Sequence, residues 1–495
     1  MKVPRLFIIT ATLVLQVGTS WCQTVSIHQI DVGTGDAALI NVSDGTGLIT
    51  HSVLIDAGQT SKDDVVKDYV RANARNVDGY SVLDYVITSH YHVDHYGGLI
   101  GRKTPRSPCK NSYTGLLADS NDIRYFAVLD KGANAPQNST HSTSITPPKL
   151  TKYGIYSMLA GARRLAVGIP EKHPHFTDSV IPPNLNSDYR FPLPSNYLYP
   201  VEIGIGDFIS LGSDENGVPI RLRLIASNGR IYFPGYDDNT LDVAAELGID
   251  RKNPKSKNNP NNWGIAWILE YGAFRFYTAG DIGGYNKKPL LGTCKHCREY
   301  FDLETPISTA LKMVYQNPIE SPGHVCTQKI SHHGSCCSTN PFFWEALKPS
   351  FAVISAGPVA SFGHPTQEVF DRLNSVHWDG EPPLTHSQTS MCLLTQLNFQ
   401  NRNIDLEQSG TSGLSKYVAT LKEVKLSDID SIYPMANGFN LYKMKRKSSL
   451  KKTPGNVRID VYPEEIDKIS RYVVRFMGYD GKDYHKIIEC HREKE

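Results

Sequence analysis

The chain has 495 residues, enough at about 150 per domain for three domains or for one elaborated domain with an appendage. Hydrophobic residues make up 40%, charged residues 21% and aromatics 10%, a balance that excludes disordered, collagen-like and coiled-coil classes. Lys plus Arg number 52 against 50 Asp plus Glu, so the net charge is +2 and no global field draws the protein to polyanions or membrane surfaces.

The N-terminus reads as a secretory signal peptide over residues 1–22. Lys2 and Arg5 precede an apolar run from Leu6 to Val17, and Ser20-Trp21-Cys22 offers small residues for cleavage before Gln23. The run falls short of the roughly 20 residues that span a bilayer, so no transmembrane segment and a secreted, extracellular protein are expected. Cysteine usage agrees with export. Of nine Cys, loss of Cys22 leaves Cys109, Cys294, Cys297, Cys326, Cys336, Cys337, Cys392 and Cys490, an even set suited to structural disulfides. A zinc knuckle at Cys294 and Cys297 is disfavoured because no second CxxC follows. Asn138-Ser-Thr, in a polar stretch, is a glycosylation acceptor.

In chain order, Val25 to Val42 reads as two short strands around Asp31-Val-Gly-Thr-Gly-Asp36, and Ser52 to Asp56 as a third. Asp63 to Asn76 has helical character, and Val82 to Thr88 is a buried strand that delivers a histidine cluster at its end. Residues 102–200, rich in Pro, Ser, Thr and Asn, form a long insertion with a helix at Tyr153 to Arg164. Strands resume at Asp207 to Leu211, Arg221 to Ala226, Trp263 to Tyr271 and Phe274 to Tyr277, with a Pro/Asn/Lys loop at Arg251 to Asn262. Thr327 to Ile330 and Phe351 to Ser355 are two more strands, and Gln367 to Leu373 is a helix. Residues 401–495 form an accessory, β-rich C-terminal region. Its basic run, 443–452, is either a solvated linker or a contact for polyanions.

The strongest chemical signal is Ser89-His90-Tyr-His92-Val-Asp94-His95. Three imidazoles and a carboxylate within six residues cannot each be satisfied as isolated core groups, and a metal is the economical shared partner. Nitrogen and carboxylate oxygen at this density suit zinc, and less selectively manganese or iron; two ions are within reach of one loop if other strand ends contribute.

HxHxDH after an apolar strand resembles the hallmark of the metallo-β-lactamase fold, and the flanking segments resemble its ComEC-type branch, whose membrane-bound members act in bacterial DNA uptake. Asp31-Val-Gly-Thr-Gly-Asp36-Ala resembles that branch's DVGQGDA opening, Leu54-Ile-Asp56-Ala-Gly its LIDAG, and Ala279-Gly-Asp281 its TGD. Lys329-Ile-Ser-His332-His333-Gly-Ser335 is similar to KxxHHGS, Ala352-Val-Ile-Ser-Ala-Gly to AVISxG, and Gly363-His364-Pro365 to GHP. The matches span residues 25–375.

The resemblance implies an α/β fold, the αββα sandwich of that family, over residues 23–400. It implies His90 and His92 on one metal, Asp94 and His95 on a second, and Asp281 bridging or supporting them. One of His332 and His333 would complete the site, with His364 near the metals as ligand or substrate contact. Asp36 and Asp56 would orient the histidines, and Ser335 belongs with these supporting groups. Two departures stand out. The gap from His95 to Asp281 is far longer than compact members need and holds no familiar ligand motif, its His141, His173 and His175 reading as surface groups. Cys336-Cys337 directly after Gly-Ser is also unusual, and reads as two cysteines that brace the loop through distant partners.

Metal in this setting lowers the pKa of bound water toward 7 and stabilises charge on a carbonyl or phosphoryl oxygen. The expectation is a secreted, metal-dependent hydrolase using a metal-bound hydroxide and two zinc ions, with manganese as the alternative. A phosphodiester is the favoured substrate, making the enzyme a phosphodiesterase or nuclease. Asp94 or Asp281 would position the water, and His364 or His333 would protonate the leaving group. The alternatives are a hydrolase of small esters, lactones or amides, and a non-catalytic secreted metal-binding matrix module.

Overall fold

The computed structural model describes residues 24–104, 113–119, 122–132, 152–160, 164–168, 203–249, 259–284, 297, 299–316, 323–357, 364, 369, 391–394, 455–462, 471–477 and 483–489. The signal peptide, Asn138, Cys294, the helix expected at Gln367 to Leu373 apart from Val369, and the basic run 443–452 lie outside the described residues.

In chain order the first half runs β1 (Val25–Gln29), β2 (Ala38–Ser43), β3 (Ile49–Ile55), α1 (Asp63–Asn73), β4 (Arg75–Val77), β5 (Tyr80–Ile87), α2 (Val93–Ile100), β6 (Ile123–Asp130), α3 (Lys152–Ala160) and β7 (Arg164–Ala166). Next come β8 (Phe208–Ser213), β9 (Pro219–Ser227), β10 (Arg230–Tyr232), β11 (Thr240–Asp242), α4 (Val243–Glu246), β12 (Ala266–Tyr271) and β13 (Phe274–Thr278). The remainder is α5 (Glu304–Val314), β14 (Thr327–Lys329), α6 (Pro341–Leu347), β15 (Phe351–Ile354), β16 (Met391–Leu394), β17 (Val457–Val461), β18 (Arg471–Met477) and β19 (Asp483–Glu489).

The strands form two mixed sheets, so the chain is α/β. The first has the order β19-β18-β17-β1-β2-β3-β5-β6-β7 with β4 beside β5, and the second β11-β10-β9-β12-β13-β14-β15-β16 with β8 beside β9. In the first, β3, β5, β6 and β7 run parallel; in the second, β13 to β16 do. Alternation along each strand sends one set of side chains to each face. Ile27, Ile40, Val53, Tyr85 and Leu129 of the first sheet meet Leu222, Leu224, Trp267, Phe276 and Val353 of the second in one core. The opposite set on the first sheet, including Leu39, Leu54, Leu83 and Val86, packs with Val66, Val70, Leu99 and Tyr156 of its helices. On the second sheet Ile225, Ile268 and Tyr277 do the same with Ile307, Leu311, Phe343 and Leu347. Two sheets thus share an apolar interface and each carries helices outside. Among the described residues no helix is long and apolar enough to cross a membrane.

Two local features differ from the sequence reading. Helix α2 begins at Val93, so Asp94 and His95 stand in its first turn rather than in an open loop. Trp263 is not in a strand: Pro260 occupies the first turn of a short 3-10 segment, Pro260–Trp263, and the Asn259 side chain accepts from Asn261 N at 3.1 Å. The strands of the C-terminal region join the first sheet: β17 pairs antiparallel with β1 and carries β18 and β19 beyond it. Likewise α3 and β7, from the long insertion, are part of the main body, with β7 parallel to β6.

Candidate metal centre

The carboxyl ends of parallel strands from both sheets open on one place. His90, His92, Asp94 and His95 follow β5, Asp56 follows β3, Asp281 follows β13, His332 and His333 follow β14, and Ser355 follows β15. Such ends are where open α/β sheets bind ligands, because loops there converge without competing for ladder hydrogen bonds.

Asp281 lies in the middle. Its Oδ2 is 3.7 Å from His90 Nε2 and 3.7 Å from His332 Nε2, while its Oδ1 is 3.2 Å from His95 Nε2 and 3.5 Å from His333 Nε2. His92 Nδ1 lies 3.0 Å from His90 Nε2, and Asp94 Oδ2 lies 3.5 Å from His333 Nε2. Two donors on one tetrahedral ion, each at about 2.1 Å, stand about 3.4 Å apart. Each Asp281 oxygen thus faces two imidazoles, Oδ2 those of His90 and His332 and Oδ1 those of His95 and His333, with His92 beside His90 and Asp94 beside His333; ligand atoms of His90, His95 and Asp281, and of Asp94, His95 and His333, lie within 4.8 Å of one another. His95 Nε2, His333 Nε2 and Asp281 Oδ1 are buried and have no hydrogen-bond partner among the described residues, an arrangement that natural interiors avoid unless a further group satisfies them. The donor set and its orphaned atoms fit metal ions.

The far nitrogens are fixed by hydrogen bonds that leave the inward ones free. His95 Nδ1 donates to Asp56 Oδ2 at 2.9 Å, and His333 Nδ1 donates to the Ser355 carbonyl at 2.9 Å. The Ser89 hydroxyl donates to Asp56 Oδ2 at 2.6 Å and stands 3.1 Å from His90 Nδ1, so Asp56 steadies two histidines. Asp36 is 3.7 Å from His95 Nδ1 and 3.6 Å from His333 Nδ1, and accepts from the buried Lys329 ammonium, which also donates to the Gly280 carbonyl at 3.0 Å. Gly280 is required here, since a Cβ would meet Ser89 Oγ at 2.4 Å. The Ser335 hydroxyl accepts from Cys337 N at 3.2 Å and so shapes the loop after His333.

Burial and charge oppose each other at the centre. Burial pushes His90, His92 and His332 toward the neutral form, His332 to about 4. Burial acts the same way on His333, but the Asp281 and Asp36 carboxylates outweigh it and hold the imidazole up to about 9. His95 is raised well above its ordinary value by Asp281 and Asp56, again against burial. Asp281 is itself held well below the carboxylate range, against burial, by the imidazoles of His95 and His333.

His364 belongs to the surroundings of the centre: its ring lies 5.2 Å from that of His332 and 6.4 Å from that of His333. The loop beyond His333 is tied down by a disulfide between Cys297 and Cys337, and Cys326 and Cys336 are disulfide-bonded as well. Sequence reasoning assigned no role to Ser89, Lys329, Asn261 or Tyr300. Ser89 and Lys329 stand inside the motifs it used, whereas the other two carry no local signal. Comparison with protein-family models, with curated proteins and with solved structures finds no match.

Proposed function

We propose that the protein is a secreted metal-dependent hydrolase of the metallo-β-lactamase fold, related to its ComEC-type branch, with a phosphodiester as substrate. The observation that carries this reading is the set of imidazoles gathered around Asp281. Support for the fold comes from two face-packed sheets with helices outside, and support for export from the Cys297–Cys337 disulfide, a bond rare in reducing compartments.

Two zinc ions, or manganese in their place, would be held by His90, His92 and His332 and by Asp94, His95 and His333, with Asp281 common to both. Bound there, they supply Lewis acidity and an activated water at neutral pH. The chain's own groups do the rest. Asp94, with 26% of its side chain exposed and Oδ2 3.5 Å from His333 Nε2, would orient the attacking water. Asp56 and the Ser355 carbonyl keep the histidine rings from turning. His333, whose Nδ1 donates to the Ser355 carbonyl, is taken up as a ligand in this reading, and His364, its ring 5.2 Å from that of His332, is the group proposed to protonate the departing oxygen.

Elemental analysis and paired assays test this. The protein is expected to carry about two transition-metal ions per chain and to hydrolyse bis(p-nitrophenyl) phosphate in preference to a carboxylic ester. Asp94→Asn should lose metal and activity together, whereas His364→Ala should keep its metal and lose roughly 10²–10⁴-fold in turnover. Metal-loaded protein that hydrolyses neither substrate refutes the reading, and an ester-only enzyme moves it to a different substrate class.

A further inference from the structure

The segment Pro260–Trp263 places one side chain at the centre that neither ligand set uses. Asn261 is 1% exposed, its Nδ2 lies 3.4 Å from His332 Nε2, and its Oδ1 is buried without a partner among the described residues. The Tyr300 hydroxyl is in hydrogen-bond contact with the Asn259 and Asn261 side chains, and its ring lies 5.4 Å from that of His332. The backbone beneath is rigid. Asn262 Nδ2 donates to the Glu299 carbonyl at 2.8 Å, Asn262 Oδ1 accepts from Phe301 N at 2.8 Å, and Ile265 N donates to the Ser89 carbonyl at 2.9 Å. A short turn anchored on both sides of the centre holds a carboxamide against a ligand histidine, the way functional groups are fixed on stiff supports.

We propose that Asn261 is a substrate-contacting residue, its amide N–H donating to a non-bridging oxygen of the phosphodiester. The inference rests on the function proposed above. Without an ion, the His332 nitrogen accepts the Asn261 N–H. When His332 serves as a ligand its lone pair is committed, and the buried N–H beside it needs another acceptor. A phosphoryl oxygen entering the centre offers one, and gains a donor where negative charge grows during reaction. Asn261→Ala removes the donor; Asn261→Asp keeps the shape and replaces the donor with a repelling charge.

The experiment measures metal content, calorimetric binding of inorganic phosphate and kinetics on bis(p-nitrophenyl) phosphate for wild type, Asn261→Ala and Asn261→Asp. Both variants should hold wild-type metal. Asn261→Ala should lose about 10²–10³-fold in kcat and bind phosphate more weakly, and Asn261→Asp should be worse on both counts. Loss of metal in Asn261→Ala with tighter metal in Asn261→Asp overturns the inference, because it makes the residue a ligand. Unchanged kinetics and phosphate binding overturn it as well. Wild type that carries metal but neither binds phosphate nor cleaves the diester sinks the function itself, an outcome separate from either of these. Should Asn261→Ala fail to fold, the isosteric Asn261→Asp decides alone.

Discussion

At Asp56 the backbone turns into the left-handed region, φ +58°, which a residue with a Cβ seldom adopts. The turn brings one carboxylate under Ser89 N, Ser89 Oγ and His95 Nδ1 together, at 2.8, 2.6 and 2.9 Å. A group with three such partners orients the His90 and His95 rings without itself reaching their inward nitrogens. Asn in its place keeps the size but presents an amide to three donors, so one contact turns repulsive and the His95 ring loosens. Asp56→Asn should weaken zinc binding 10–100-fold, measured by competition with a chelator. Unaltered affinity would show that His95 is held by packing alone.

At the level of elements, β6, β7 and α3 build a polar brace behind the loop that bears the histidines. Tyr91, between His90 and His92, donates to the Gly132 carbonyl at 2.6 Å and accepts from Arg164 Nη2 at 2.6 Å. Arg164 Nε donates to Asp130 at 2.5 Å, and the Tyr156 hydroxyl donates to the same carboxylate at 2.8 Å. Lys131, next in sequence, is fully buried with its ammonium 4.7 Å from the centre of the Tyr91 ring, and burial pushes it down to about 7. Between pH 7 and the ordinary lysine value near 10.5 the unfolded chain holds a proton that the folded chain has released, so stability rises with pH across that window. Lys131→Met should therefore be more stable than wild type at pH 6.5, by up to roughly 5 kcal/mol, and unfold at a higher temperature, with the gap closing toward pH 10. Wild type the more stable of the two at pH 6.5 would mean that the charged lysine is a net asset where it lies.

This brace marks the limit of what local sequence conveys. Strands β3, β5, β13 and β15 were legible as apolar runs, and the candidate ligands as polar clusters at strand ends. Arg164 was legible only as the end of a helix inside a polar insertion, because its partners Tyr91 and Asp130 lie 73 and 34 residues away and only the fold assembles them. Asn261 was hidden likewise: a carboxamide in a Pro/Asn/Lys stretch has no periodicity to announce it. Strands β10 and β11, three residues each, are too short for an alternation to show.

Across the whole molecule, the centre draws His90, His92, Asp94 and His95 from the first sheet and Asp281, His332 and His333 from the second, so ions held there would tie the sheets together at one edge of their shared core. The Cys297–Cys337 disulfide braces the loop after His333, and the Cys337 carbonyl accepts from Gly284 N, just beyond Asp281, at 2.8 Å. The first sheet has its own closure, since Val25 on β1 faces Val461 on β17 and the strands between them belong to almost the entire chain. That pairing imposes a timetable. During synthesis the β1 edge stays open until residue 461 has been added, and an open edge of apolar residues such as Val25 and Ile27 is a template for the wrong partner. The growing chain therefore carries its first sheet without β17, β18 and β19 until those strands are made, and the β1 edge needs cover for that interval.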